Sequence, residues 1–162
     1  MFPDRIRNLA LLTMDEAMER RVKIATAESC TGGLIAALFT EFAGSSKVLE
    51  RGFVTYSNSA KAEVLGVAGD VIADYGAVSE PVARLMAEGA MEQSRANLAI
   101  AVTGIAGPGG GTPMKPVGTV HLACARENKA MIHEMLTLGD IGRHEIRMAT
   151  VEAALNMIKT QI

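Results

Sequence analysis

At 162 residues, with 49% hydrophobic and 21% charged side chains, the chain has the make-up of one globular domain, not of a disordered or coiled-coil segment. Its 16 Lys and Arg against 18 Asp and Glu leave a net charge of -2, a poor footprint for a duplex binder, and 4% aromatic content without Trp offers no base-stacking platform. Nucleic acid is therefore not an expected partner.

The first residues, Met1-Phe2-Pro3-Asp4-Arg5, lack the apolar run of a secretory leader, so a cytoplasmic protein is expected. Ile6, Ala10, Thr13 and Ala17 recur at helical spacing and predict an amphipathic helix over Asp4 to Arg20. Val22 to Ala27 reads as a short strand. It runs into Ser29-Cys30-Thr31-Gly32-Gly33 and the apolar Leu34 to Phe39, the strand–turn–helix layout of an α/β unit. Val48 to Tyr56 reads as a second strand, followed by a short helix, Ser59 to Leu65, closed by Gly66. Ser79-Glu80-Pro81 opens another helix, with a serine cap and proline in the first turn, that continues to about Ser94.

Leu98 to Val102 is apolar without alternation, as a strand covered on both faces requires. The uncharged stretch from Ala96 to Met114 holds five Gly and two Pro, so it cannot cross a bilayer as a helix, and no membrane partner is expected. After the glycine-rich loop from Gly104 to Pro116, Thr119 to Ala125 and Ala130 to Leu138 alternate as strands around a Glu127-Asn128-Lys129 turn. Met148, Val151, Leu155 and Ile158 mark a closing helix. The order predicts a single α/β domain of three layers, α/β/α, around a mixed, mostly parallel sheet.

In such sheets ligands gather at the carboxyl edge. Three predicted strand ends are rich in Ser, Thr and Gly: Glu28 to Gly33, Tyr56 to Lys61 and Thr103 to Lys115. The loop Gly107 to Thr112 has the glycines to cradle a phosphate but neither Walker A nor dinucleotide spacing, and composition alone favours a surface loop. Cys30 is a possible thiol nucleophile, yet its base would have to be the distant His121, His133 or His144, and a buried structural cysteine is the simpler reading. No His, Cys or carboxylate pair stands at ligand spacing, so no metal is expected. A desolvated Lys61 could serve as base for a serine hydroxyl, with Ser45 and Ser46 as candidates. Against this, the residue types alone favour a turn serine and a solvated lysine.

Four stretches resemble the CinA C-terminal domain family, the nicotinamide mononucleotide amidohydrolases. They are A-T-A-E-S-C-T-G-G from Ala25, G-F-V-T-Y-S-N-S-A-K from Gly52, G-A-V-S-E-P-V-A from Gly76 and T-G-I-A-G-P-G-G-G-T-P-M-K-P-V-G-T-V from Thr103. The resemblance implies hydrolysis of nicotinamide mononucleotide to nicotinate mononucleotide and ammonia without metal or cofactor, in pyridine nucleotide salvage, by a homodimer. It also implies roles: Ser46 as nucleophile, Lys61 as base, and Tyr56 as their hydroxyl partner. Ser29, Thr31, Gly32, Gly33, Thr103, Gly109, Gly110 and Arg143 would hold the nucleotide.

The chain departs from the family pattern at Gly139-Asp140-Ile141-Gly142-Arg143, two residues longer than the usual Gly-Asp-Arg, and at Ala43 and Leu49. Longer members carry an N-terminal pyrophosphatase-type domain, and this chain is expected to lack that second activity. The competing expectation is a nucleotide-binding regulatory module that kept the fold without catalysis.

Overall fold

A computed structural model describes residues 1–162. Helix α1 (Asp4–Glu19) leads into β1 (Ile24–Glu28), α2 (Leu34–Thr40) and a single 3-10 turn at Ser45–Lys47. Then come β2 (Leu49–Val54), α3 (Asn58–Leu65), α4 (Gly69–Tyr75), α5 (Glu80–Glu92), β3 (Leu98–Gly104), β4 (Thr119–Arg126), β5 (Ile132–Thr137) and α6 (Arg143–Gln161). Every predicted element is present. Helix α4 is an addition, too short and too weakly patterned to stand out in the sequence.

The five strands form one sheet in the order β2-β1-β3-β4-β5. β1 pairs parallel with both β2 and β3, while β3–β4 and β4–β5 are antiparallel. The sheet is mixed, as expected, but its pairings divide evenly where a mostly parallel sheet was predicted. The reason is local: β4 and β5 are joined by a hairpin, with Asn128 at φ 62, and β4 returns beside β3 without a crossover helix.

Alternation sorts the central strands onto two faces. Ile24, Leu98, Ile100, Val102, Val120, Leu122 and Cys124 join the larger core under α1, α2 and α6. The opposite face carries Ala25, Ala27, Ala99, Ala101, Ala123 and Ala125, and this alanine floor lets α5 lie close to the sheet. Gly89 of α5 extends the same economy to its neighbour, since a Cβ there would sit 2.0 Å from the carbonyl oxygen of Leu65 at the end of α3. Ser57 caps α3 through the Ala60 N–H, and Ser79 caps α5 through that of Val82. No helix is long and apolar enough to cross a membrane.

β1, β2 and β3 run in the same direction, so the segments that follow them, Ser29–Gly33, Thr55–Ser57 and Ile105 onward, emerge together at one edge. The site is built there.

Candidate active site

A cavity of about 180 Å³ opens at that edge, lined among others by Ser29, Tyr56, Lys61, Thr103 and Arg143. No carboxylate lines it, whereas the side chains of Lys61 and Arg143 do. Clefts for drug-sized ligands measure roughly 300–1,000 Å³. This one is smaller than that range.

Lys61 sets its chemistry. The first turns of α3 carry the side chain back under the end of β2, where it is only 1% exposed. The solvated helix charge that its flanking residues suggested is therefore not what forms. Its Nζ lies 3.0 Å from each of three oxygens: Ser29 Oγ and the backbone carbonyls of Thr55 and Tyr56. Burial lowers its pKa, because desolvation penalises the ammonium more than the amine, against a smaller opposing effect from Cys30. In the neutral amine two N–H bonds satisfy the two carbonyls, and the lone pair is left facing the Ser29 hydroxyl.

Ser29, itself 7% exposed, is thus the serine that meets the lysine. Ser46 is not. It lies in the 3-10 turn before β2, exposed, with its carbonyl taking a hydrogen bond of 3.0 Å from Lys23 Nζ. Lys61 follows β2, so that six-residue strand, about 20 Å long at roughly 3.3 Å per residue, lies between the two in the chain. The expected Ser46–Lys61 pair is corrected to Ser29–Lys61. The resemblance implies a ligand-holding role for Ser29, not this contact with Lys61. The clue that separates the serines is chain direction: Ser29 follows its strand, whereas Ser46 precedes one.

Tyr56 also differs from expectation in detail. Its backbone, not its hydroxyl, reaches Lys61, while the hydroxyl accepts a bond of 3.1 Å from Arg143 Nη2. Arg143, the first residue of α6, also donates through Nη1 to the Gly107 carbonyl at 2.7 Å. It therefore ties the glycine-rich loop to Tyr56 beside the cavity. Thr103 lines the floor, and its hydroxyl donates to the Ala77 carbonyl.

Other expected ligand-holding residues stand elsewhere. Gly109 and Gly110 are exposed and outside the lining, because the loop projects beyond Ala106 before turning back. Thr31, Gly32 and Gly33 do not line it either: the Thr31 hydroxyl and the Gly33 N–H are given to Glu28, and Gly32 lies against Arg147. The sequence reading missed Asn58, Ala77 and Val78, which complete the wall. Cys30 also borders the cavity, but burial pushes its thiol up to about 11, which leaves almost no thiolate at neutral pH. No group of three or more His, Cys, Asp or Glu converges as a metal site would require.

Residues 6–162 match the CinA C-terminal domain. The chain belongs to that family. It is 51% identical over 151 residues to a CinA-like protein of Syntrophus aciditrophicus, covering 93% of this chain and 34% of the relative. A CinA-like protein of an Anaeromyxobacter species is 46% identical over 98% of the chain and 38% of its own length. The chain thus spans little more than a third of these curated relatives. Among solved structures, the competence/damage inducible protein CihA from Agrobacterium tumefaciens superposes with TM-score 0.97 at 52% identity, over 99% of this chain and 98% of that one. A CinA superfamily protein from Escherichia coli gives 0.91 at 31% identity, over 100% and 94%.

Proposed function

We propose that this CinA domain is an amidohydrolase that converts nicotinamide mononucleotide and water to nicotinate mononucleotide and ammonia. The observation that carries the reading is the buried Lys61 amine held 3.0 Å from the Ser29 hydroxyl by two backbone carbonyls. Burial lowers the Lys61 pKa, so this amine gives up its proton more readily than a solvated lysine does, as a base for a hydroxyl must.

In the first half of the reaction Ser29 Oγ bonds to the carboxamide carbon as its proton passes to Lys61 Nζ. The tetrahedral oxyanion needs a donor, and the backbone N–H of Cys30, which bonds to no backbone carbonyl and belongs to a residue bordering the cavity, stands next to the nucleophile for that task. The C–N bond then breaks and Lys61 returns the proton to the departing nitrogen, releasing ammonia and leaving an ester on Ser29. In the second half water attacks that ester, Lys61 again takes and returns the proton, and the carboxylate leaves. Size and charge agree with this substrate. The cavity takes a pyridine ring with its amide, while Arg143 at the edge offers a forked cation to the 5'-phosphate.

The test is to incubate the pure protein with nicotinamide mononucleotide and follow ammonia and nicotinate mononucleotide together. Equimolar appearance of both, lost in Ser29→Ala, supports the reading. Binding of the nucleotide without release of ammonia would instead support a regulatory module.

A further inference from the structure

The turn that carries Ser29 is held from behind by two side chains that never face the cavity. Glu28, the last residue of β1, is fully buried on the α2 side of the sheet. Its Oε2 accepts from the Thr31 hydroxyl at 2.6 Å, the Gly33 N–H at 3.2 Å and the Ile35 N–H at 3.0 Å, while Oε1 accepts from the Ala36 N–H at 3.0 Å. Helix α2 has no side-chain cap of its own at Gly33, so this carboxylate does that work from the preceding strand. On the other side Arg147 of α6 donates from Nε to the Cys30 carbonyl at 3.1 Å and from Nη2 to the Thr31 carbonyl at 3.0 Å. One residue collects the donors of the turn and the other its acceptors.

We propose that Glu28 and Arg147 are positioning residues that fix the Ser29 hydroxyl at bonding distance from Lys61, an inference that rests on the Ser29–Lys61 reading above. Four donors converge on two oxygens, so only an acceptor-only group satisfies all of them. Gln has the same shape but one oxygen and an NH2. Whichever way it turns, its NH2 meets at least one backbone N–H and that bond is lost. The turn then relaxes, and a nucleophile displaced by about 1 Å loses on the order of 100-fold in rate. Arg147 works through paired backbone contacts, so Arg147→Gln should loosen the same turn from the opposite side.

The experiment measures two quantities in wild type, Glu28→Gln, Arg147→Gln and Ser29→Ala, with circular dichroism confirming the fold. The first is kcat and KM for nicotinamide mononucleotide across pH. The second is the rate at which a small fluorophosphonate labels Ser29, read by peptide mass. Both positioning variants should lose roughly 10- to 100-fold in kcat and in labelling rate. KM should stay within about threefold and the acid limb of the pH profile should not move, because Lys61 keeps its surroundings. Should Glu28→Gln fail to fold, Arg147→Gln carries the same comparison.

Wild-type kcat and labelling in both variants, or a loss confined to KM, would overturn the inference while leaving the serine–lysine reading intact. Full turnover in Ser29→Ala, or no label on wild-type Ser29, would overturn that reading and the inference with it.

Discussion

Two serine–lysine contacts sit at opposite ends of β2, and they differ in every property that matters for chemistry. At the amino end, exposed Ser46 receives Lys23 Nζ on its carbonyl, an atom that takes no part in nucleophilic attack. At the carboxyl end, Lys61 reaches the Ser29 hydroxyl itself, and both residues are buried. The first contact is a surface tether. The second removes water from a titratable nitrogen and points it at an alcohol. Proximity of the two residue types is therefore not the signal; burial of the base and the identity of the serine atom are.

The largest expected effect breaks the symmetry outright. Ser29→Ala should lower kcat for nicotinamide mononucleotide by 1,000-fold or more, whereas Ser46→Ala should stay within about twofold of wild type. Steady-state ammonia release on both variants checks it. The reverse ranking would return the nucleophile to the amino end of β2.

The same comparison explains what could be read from the sequence. The order of strands, the Ser79 cap, the alternation of β4 and β5 and the carboxyl-edge location of the ligand loops all follow from patterns within ten or twenty residues. Lys61 was legible as a candidate because it follows a strand. Its burial was not, since Ser59-Ala60-Lys61-Ala62-Glu63 reads equally well as a solvated helix turn, and only packing of α3 under the end of β2 decides otherwise. Ser46 drew attention through its Gly-Ser-Ser turn, a local feature blind to which end of the sheet it occupies. Glu28 and Arg147 meet the turn from positions more than 100 residues apart, and nothing in either flank announces it.

The next effect tests what the buried lysine is for. Lys61→Arg should fail as badly as Lys61→Ala, because guanidinium keeps its proton and cannot act as base. If Lys61 served only to attract phosphate, arginine would substitute with a loss of a few-fold. Near-normal kcat in Lys61→Arg, in a protein with wild-type circular dichroism, would make the carboxyl-end contact a tether like the other.

Arg143 should show a smaller and different loss. It is exposed and bridges Tyr56 to Gly107 at the edge of the cavity, and on the proposed reading its contribution falls on the phosphate. Arg143→Ala is expected to raise KM for the nucleotide about tenfold with kcat little changed, and nicotinamide riboside, which lacks the phosphate, should be nearly indifferent to the substitution. Equal kcat/KM for nucleoside and nucleotide in the wild-type protein would remove Arg143 from phosphate recognition.

The smallest effect is on stability, and its sign follows from burial. Desolvation lowers the Lys61 pKa in the folded chain below the 10.5 of a free side chain. Between those two values the unfolded chain binds more protons than the folded one, so stability attributable to Lys61 rises with pH. Below the folded value both states carry the charge, and the full cost of burying an ammonium is present. Lys61→Met keeps the length of the side chain without the titration. The stability of wild type relative to Lys61→Met should therefore increase as pH is raised from 7 toward 10, with a slope of at most about 1.4 kcal/mol per pH unit. Urea unfolding of both proteins at matched pH values measures the difference, and subtraction cancels the other groups that titrate in that range. A difference that stays flat or falls with rising pH would mean that Lys61 is held as the ammonium, with all three hydrogens on its three oxygens, and cannot be the base.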